Sequence, residues 1–122
     1  MGRVALLFPY DQIRISSSIL IDIGSPQYIR IFVDKTRRKL YIRACEKAPD
    51  AFFVSRAAIE HRHTGLSIAS VSILPMLFDF LELEDRSLCI RFRHRQVDYK
   101  TIEVDLDDYR PTNREKKEKS KR

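Results

Sequence analysis

The chain has 122 residues, which corresponds to one domain and is long enough to bury a hydrophobic core. Hydrophobic residues make up 43% of it, and only three Gly and five Pro are present, which excludes collagen-like and generally disordered chains. The formal net charge is +6. We therefore expect a folded, single-domain protein that carries excess positive charge.

Membrane insertion and secretion are both disfavoured by the sequence. The longest apolar stretch, Val71 to Leu83, is interrupted by polar residues and Pro75, and falls short of the roughly 18 apolar residues that a span needs. The start of the chain lacks a small-residue cleavage site. Two cysteines, Cys45 and Cys89, are too few for a disulfide framework. We expect a cytoplasmic protein with no membrane partner.

In the first half of the chain, alternating hydrophobicity predicts strands. One strand is expected over Gln12 to Ile15, and a second over Ile19 to Ile23, which the turn residues Gly24-Ser25-Pro26 end. Tyr28 to Cys45 alternates twice around the polar segment DKTRRK, which predicts a β-hairpin with a basic loop. A short extended segment is expected over Phe52 to Ser55.

The second half predicts one helix followed by a second hairpin. Apolar residues between Ser72 and Leu83 recur at helical spacing, with Ser72 as the N-cap and Pro75 in the first turn. Alternating runs at Leu88 to Phe92 and Ile102 to Leu106 follow, separated by RHRQVDY. The predicted fold class is α+β: an antiparallel sheet of two hairpins and an N-terminal strand, with one main helix packed on it.

The positive charge is concentrated at the C-terminus. Residues 110–122 contain seven basic and two acidic residues, whereas residues 1–109 contain 16 basic and 15 acidic ones. Pro111 interrupts the preceding strand, and the charged residues have no apolar face to bury. We predict a domain over 1–109 and a disordered basic tail over 110–122, in which Lys116 and Lys117 are candidates for nucleic-acid contact.

Within the domain, the first hairpin combines cations with aromatic rings. Tyr28, Phe32 and Tyr41 alternate onto the same face as two arginines, an arrangement that can stack bases and hold phosphates. The alternative is a two-sided core with the arginines at its margin. The candidate nucleic-acid-binding residues of the domain are Arg30, Arg37, Arg38, Lys39, Arg43, Arg91 and Arg93.

The last strand is acidic, with candidate partner-binding carboxylates at Asp98, Glu103, Asp105, Asp107 and Asp108. These groups can imitate the phosphates of a nucleic acid toward a basic channel. The alternative is cross-strand pairing with the arginines between Arg86 and Arg95, which precede them in the chain.

Signals for catalysis are weak. Asp50, Asp98 and Lys100 resemble the spacing of a metal-dependent nuclease motif, but Ala48-Pro49-Asp50 is typical of a turn. His61 and His63 have no third ligand at a suggestive spacing. We expect no catalytic residues, no metal and no cofactor, and keep a metal-dependent nuclease as the least favoured alternative.

The segment GSPQYIRIFVDKTRRKLYIRAC and the following DAFFVS resemble a family of small proteins encoded by phages and conjugative elements of Firmicutes. The resemblance extends over Ile13 to Leu83 and is most specific at Pro26 to Ile31 and Ala51 to Ser55. It implies a mobile-element setting, in which small proteins often block host defence, as anti-CRISPR proteins do, or regulate the promoters of the element.

The leading hypothesis is a non-enzymatic, anti-CRISPR-type inhibitor that occupies a host RNA-guided nuclease, another defence protein, or the nucleic acid that the nuclease holds. The alternative is a DNA- or RNA-binding transcriptional regulator of the element, which predicts binding that depends strongly on salt.

Overall fold

A computed structural model describes residues 2–60, 65–70 and 72–112. The strands of this structure are β1 (Val4–Leu7), β2 (Gln12–Ile15), β3 (Tyr28–Asp34), β4 (Lys39–Cys45), β5 (Phe52–Phe53), β6 (Leu66–Ala69), β7 (Cys89–Asp98) and β8 (Thr101–Pro111). The helices are α1 (Ser17–Asp22), α2 (Arg56–Glu60) and α3 (Ile73–Phe80), with a short 3-10 turn at Phe8–Tyr10.

The eight strands form one antiparallel sheet in the order β5-β3-β4-β8-β7-β1-β2-β6, which curls into a nearly closed barrel. Strand residues alternate between the two faces of a sheet, so one face of each strand supplies the core. Ile31, Ile42 and Ile102 illustrate this, because they face one another across β3, β4 and β8 and are at most 8% exposed. Burying each such side chain stabilises the fold by about 1.5–3 kcal/mol.

The predicted α+β architecture is therefore wrong. The described residues form a barrel with three short helices, rather than a sheet on which one main helix packs. The sequence prediction paired the two strands within each hairpin but missed the strands β1 and β6. It also missed the pairing of β4 with β8 and of β1 with β7, which curls the sheet. The core that the main helix was expected to cover lies inside the barrel instead.

The strand predicted at Ile19 to Ile23 is also wrong, because Ser17–Asp22 is the helix α1. Gly24 ends this helix with a φ of +95°, a conformation that costs glycine little. The N–H of Ser25 then donates to the carbonyl of Leu20 over 2.9 Å. The strands at Gln12–Ile15 and in both halves of the first hairpin are confirmed.

The one helix predicted from the sequence is confirmed in shortened form as α3, with Ser72 at its N-cap position. The capping hydrogen bond comes from another residue, since the N–H of Ile73 donates to Oγ of Ser70 over 3.0 Å. Leu74 and Leu77 are buried in the core, and Phe78 packs edge to face on Phe8.

The second hairpin is longer than predicted. RHRQVDY lies mostly within β7, and β8 continues through Pro111 rather than ending before it. Residues 113–122, including Lys116 and Lys117, and also His61 and His63, lie outside the described residues. Among the helices that are described, none has the length and apolar character needed to span a membrane.

Candidate nucleic-acid interface

The outer face of the β3–β4 hairpin presents side chains in rows set by the strand register. Phe53, Tyr28 and Cys45 form the first row across β5, β3 and β4. Arg30 and Arg43 form the second. Phe32 and Tyr41 form the third. The facing pair Arg30 and Arg43 is thus flanked on both sides by aromatic rings.

Each aromatic row is a ring pair in which one ring is exposed and the other is half-buried. Phe32 stacks on Tyr41 with ring centroids 5.3 Å apart and an angle of 26° between the planes. Tyr28 meets Phe53 edge to face at 5.6 Å. Phe32 is 41% exposed and Phe53 62% exposed. Tyr28 and Phe32 are four residues apart on one strand, so the ring pairs lie about 13 Å from each other.

Arg30 and Arg43 face each other between these ring pairs but differ in their surroundings. Two ion-pair contacts of 3.0 Å join the Arg30 guanidinium to Asp50. The hydrogen bond to Arg30 lowers the pKa of Asp50, and the hydrogen bond to Asp50 raises the pKa of Arg30. Arg43 is exposed and forms no ion pair with a carboxylate of the described residues. Arg43 is therefore available to an anion.

A groove of about 970 Å³ lies against this face, which we call the aromatic-arginine groove. Four cations line it, together with the single carboxylate Glu46 among the described lining residues. The cationic lining residues are Arg30, Arg43, Lys47 and Lys100, and the aromatic ones are Phe32 and Tyr99. The lining thus carries a net positive charge.

Hydrogen bonds hold the walls of the groove. The carbonyl of Lys100, in the β7–β8 turn, accepts the N–H of Ala44 over 2.8 Å. Nε2 of Gln96 donates to the carbonyl of Asp22 over 2.8 Å, which ties β7 to the end of α1. The shape of the groove is therefore fixed by hydrogen bonds that its walls form with backbone groups.

The β7–β8 turn adds a third exposed ring and a cation. Tyr99 is 78% exposed, and Nζ of Lys100 lies 5.6 Å from the centre of its ring. Asp98 accepts the Lys100 N–H over 2.9 Å, and this hydrogen bond is the largest cause of the lowered pKa of Asp98, to which Arg43 also contributes. In the described part of the chain, no three residues of the His, Cys, Asp and Glu types come together as a metal site. The structure thus adds no observation in favour of the metal-nuclease alternative.

The predicted acidic surface is largely neutralised by ion pairs on β4, β7 and β8. We call the four pairs the ion-pair belt: Arg38–Asp107 at 2.6 Å, Lys39–Asp105 at 3.5 Å, Arg93–Asp108 at 2.9 Å and Arg95–Glu103 at 2.9 Å. Glu103 also accepts the hydroxyl of Tyr41 over 3.2 Å, and Arg37 pairs with Asp34. Cross-strand pairing therefore describes these residues better than a continuous acidic face.

The structure brings some of the sequence-predicted candidates together and separates others. Arg30, Phe32 and Arg43 line the groove, while Tyr28 and Tyr41 pack beside it. Arg37, Arg38, Lys39 and Arg93 are in ion pairs, and Arg91 lies on another part of the barrel. The sequence prediction missed Lys47 and Tyr99. The position of Tyr99 between two alternating segments, at a hairpin tip, was the available signal for an exposed ring.

Comparisons of the chain with protein-family models, with curated proteins and with solved structures found no match. The resemblance to proteins of phages and conjugative elements therefore stays a prediction, and the functional argument depends on the surface itself.

Proposed function

We propose that the protein binds single-stranded nucleic acid in the aromatic-arginine groove. The observation that carries this proposal is the order of the rows, in which the facing arginines Arg30 and Arg43 lie between two exposed aromatic pairs. Single-strand-binding surfaces combine positive charge for the backbone with rings for the bases.

The rings are suited to stacking because one ring of each pair, Phe32 and Phe53, is exposed to solvent. Unpaired bases stack on Phe or Tyr at about 1–3 kcal/mol per base, with little dependence on base identity. A duplex keeps its bases inside, so these rings favour single strands over duplex. The two ring pairs offer platforms for two separate bases.

The cations supply the other half of the interaction. Arg43 forms no ion-pair contact among the described residues, although its charge acts on Asp98, and Lys47 and Lys100 lie in the same groove. Each phosphate neutralised on a single strand contributes about −0.7 to the slope of log K against log salt. Arg30 is held by Asp50, so Arg43 is the arginine that we assign to phosphate.

The test measures binding of a fluorescein-labelled oligothymidylate of about 6 nucleotides, near the lower end of the site sizes of small barrels, by anisotropy over a range of salt concentrations. We expect Phe32→Ala to weaken binding by about 1–3 kcal/mol at all salt concentrations. Arg43→Gln should instead flatten the salt slope by about 0.7.

The matched controls are Tyr10→Ala and Lys35→Gln, which remove an exposed ring and an exposed cation outside the groove. Thermal melts verify that every variant is folded. If the controls and the groove variants change binding equally, or if the oligonucleotide does not bind the native chain, the proposal is wrong.

The inhibitor hypothesis stays a prediction, and the two forms of it differ in support. An inhibitor that holds the guide RNA or a displaced strand of a nuclease would use this same groove. An acidic mimic of nucleic acid has less support, because four of its five carboxylates are in the ion-pair belt. Nuclease cleavage assays with native chain and Arg43→Gln test the first form, which predicts inhibition that the variant loses.

A further inference from the structure

A second group of arginines lies on the outer face of β8, β7, β1 and β2. Arg110 faces Arg91 across β8 and β7. Arg91 in turn faces Ala5 on β1, and Ala5 faces Arg14 on β2. Side chains directly opposite each other in an antiparallel sheet point to the same face. Arg14, Arg91 and Arg110 therefore form one line across four strands, which we call the arginine row.

The charge of the arginine row is not compensated within the described residues. None of its three members is in an ion pair there, although Arg93 beside them pairs with Asp108. Like charges placed directly opposite on neighbouring strands destabilise a sheet. The fold tolerates this at Arg91 and Arg110, which identifies the row as a place where an anion would relieve repulsion.

Two members of the row, Arg91 and Arg110, border a shallow groove of about 410 Å³ that is separate from the aromatic-arginine groove. Arg3 lines it as well, and so does the ion pair of Arg93 with Asp108. Thr101, which faces Arg43, and Arg110 are nine residues apart on β8, or about 30 Å along the strand. The neutral ion-pair belt lies between them on β7 and β8.

The chemistry of the row differs from that of the first groove in lacking exposed rings. Phe92, which lines the shallow groove, is 6% exposed and packs on Tyr109 at 5.7 Å. Guanidinium groups bind phosphates, and a row of them without exposed rings has no aromatic platform on which unpaired bases can stack. A duplex presents phosphates and hides its bases, so it matches this surface, whereas a single strand matches the first groove.

The row also has the dimensions of a duplex backbone contact. Neighbouring strands are about 4.8 Å apart, so Arg110 and Arg14, three strands apart, are separated by about 15 Å. Phosphates of one duplex strand rise about 3.4 Å per base pair along the helix axis, so the length of the row corresponds to about four base-pair steps. The chain continues from this end of β8 into a sequence with six further basic residues.

We propose that the arginine row is a second nucleic-acid-binding surface that holds the phosphate backbone of a duplex, so that the protein favours junctions between single and double strands. Duplex binding by the row goes beyond the proposed function and depends on different residues, whereas the preference for junctions rests on the proposed function of the first groove. The first groove would take the single-stranded side of a junction and the row the double-stranded side.

The test uses three probes. They are the short oligothymidylate, a blunt DNA duplex of roughly 20 base pairs, or two helical turns, and the same duplex with a thymidine overhang. Affinities are measured by anisotropy for the native chain, for Arg91→Gln/Arg110→Gln, and for Arg14→Gln as a milder variant. The charge-matched control is Lys35→Gln/Arg56→Gln, which removes two exposed cations elsewhere.

We expect the native chain to bind the overhang duplex most tightly. Arg91→Gln/Arg110→Gln should weaken duplex binding at least severalfold and flatten its salt slope by about 1.8, at about 0.9 for each lost contact. Arg14→Gln should flatten it by about half as much, and neither variant should change binding of the short oligothymidylate.

The proposal is overturned if the control weakens duplex binding as much as the row variant does, or if the row variant leaves duplex affinity unchanged. Phosphatidylserine vesicles are a further arm, because loss of vesicle binding with unchanged duplex binding would assign the row to a membrane surface. Failure of the oligothymidylate alone to bind would refute the proposed function of the first groove and with it the preference for junctions, while duplex binding by the row would stand.

Discussion

Arginine side chains on the outer face of this barrel differ in what the strand register places opposite them. Arg95 faces Glu103 and pairs with it. Arg91 faces Arg110, and Arg30 faces Arg43. Facing cations cost stability where facing opposite charges add to it. Under the two proposals, binding rather than folding explains the residue type at the positions where two arginines face each other.

This cost predicts that removing one arginine of a facing pair stabilises the fold. Arg91→Gln should raise the free energy of unfolding by about 0.2–1 kcal/mol, since it ends the repulsion with Arg110. Chemical denaturation at low salt measures the change. The control on the same strand is Arg93→Gln, which loses its ion pair with Asp108 and should bring no gain. A loss of stability in Arg91→Gln would contradict the argument.

At the scale of single elements, the start of β6 depends on one glycine. Gly65 has a φ of +62°, and a Cβ placed there would collide with the carbonyl oxygen of Ile15 on β2, the strand that pairs with β6. Gly24 also has a positive φ, but a Cβ there would meet open space. A side chain at Gly24 would therefore meet only the cost of the positive φ, whereas a side chain at Gly65 would also clash with the backbone of β2.

Gly24→Ala should destabilise the fold by about 1–2 kcal/mol, the usual cost of the left-handed conformation for other residues. Gly65→Ala should cost clearly more, because the Ile15 backbone, and with it the β2–β6 pairing, must move. Thermal or denaturant unfolding of both variants gives the comparison. Equal losses of stability in the two variants would contradict this prediction, because they would show that the backbone of β2 shifts at little cost in free energy.

Local patterns in the sequence predicted the hairpin β3–β4 because its apolar residues alternate over seven residues on each side. They failed at α1, where Ile19, Leu20 and Ile21 are all apolar and a short run has no readable period. They also failed at the end of β7, whose residues from Arg95 to Asp98 are exposed and contain a single apolar residue, Val97, and therefore no alternation. Pairing with β8 makes that segment a strand.

The candidate site was predictable only in part for the same reason. Alternation placed Arg30, Phe32 and Arg43 on one face of a hairpin. The contribution of Tyr99 and Lys100 depends on β4 pairing with β8, which brings the β7–β8 turn beside the first hairpin. A local sequence pattern cannot predict which distant strands pair, and Tyr41 on β4 and Glu103 on β8 are some 60 residues apart in the chain.

At the scale of the whole molecule, neighbouring groups favour the ionised form of several carboxylates on the barrel. The hydrogen bond from Arg95 is the largest cause of the lowered pKa of Glu103, and Tyr41 on β4 adds to it. The pKa values of Asp50 and Asp98 are lowered as well. A carboxylate whose pKa is lower in the folded state stabilises the fold above its unfolded pKa and loses that effect as the pH falls through the folded value.

Acid should therefore destabilise the barrel, beginning below the ordinary Glu pKa of 4.5. In Glu103→Gln we expect lower stability at pH 7 and a shallower loss in this acid range. Burial also lowers the pKa of His94, so a separate loss starts below its ordinary value of 6.5 and should persist in the variant. Denaturant unfolding across pH checks both parts, with exposed Glu84→Gln as the control. An unchanged acid profile in Glu103→Gln would contradict the assignment.

The position of the tyrosines has a spectroscopic consequence. The chain has no tryptophan and five tyrosines, so its near-ultraviolet emission comes from tyrosine. Tyr99 lines the aromatic-arginine groove, and Tyr28 and Tyr41 pack beside it. A base stacked on these rings would quench their fluorescence directly. The unlabelled protein thus carries its own optical reporter, built from the same side chains that would hold the ligand.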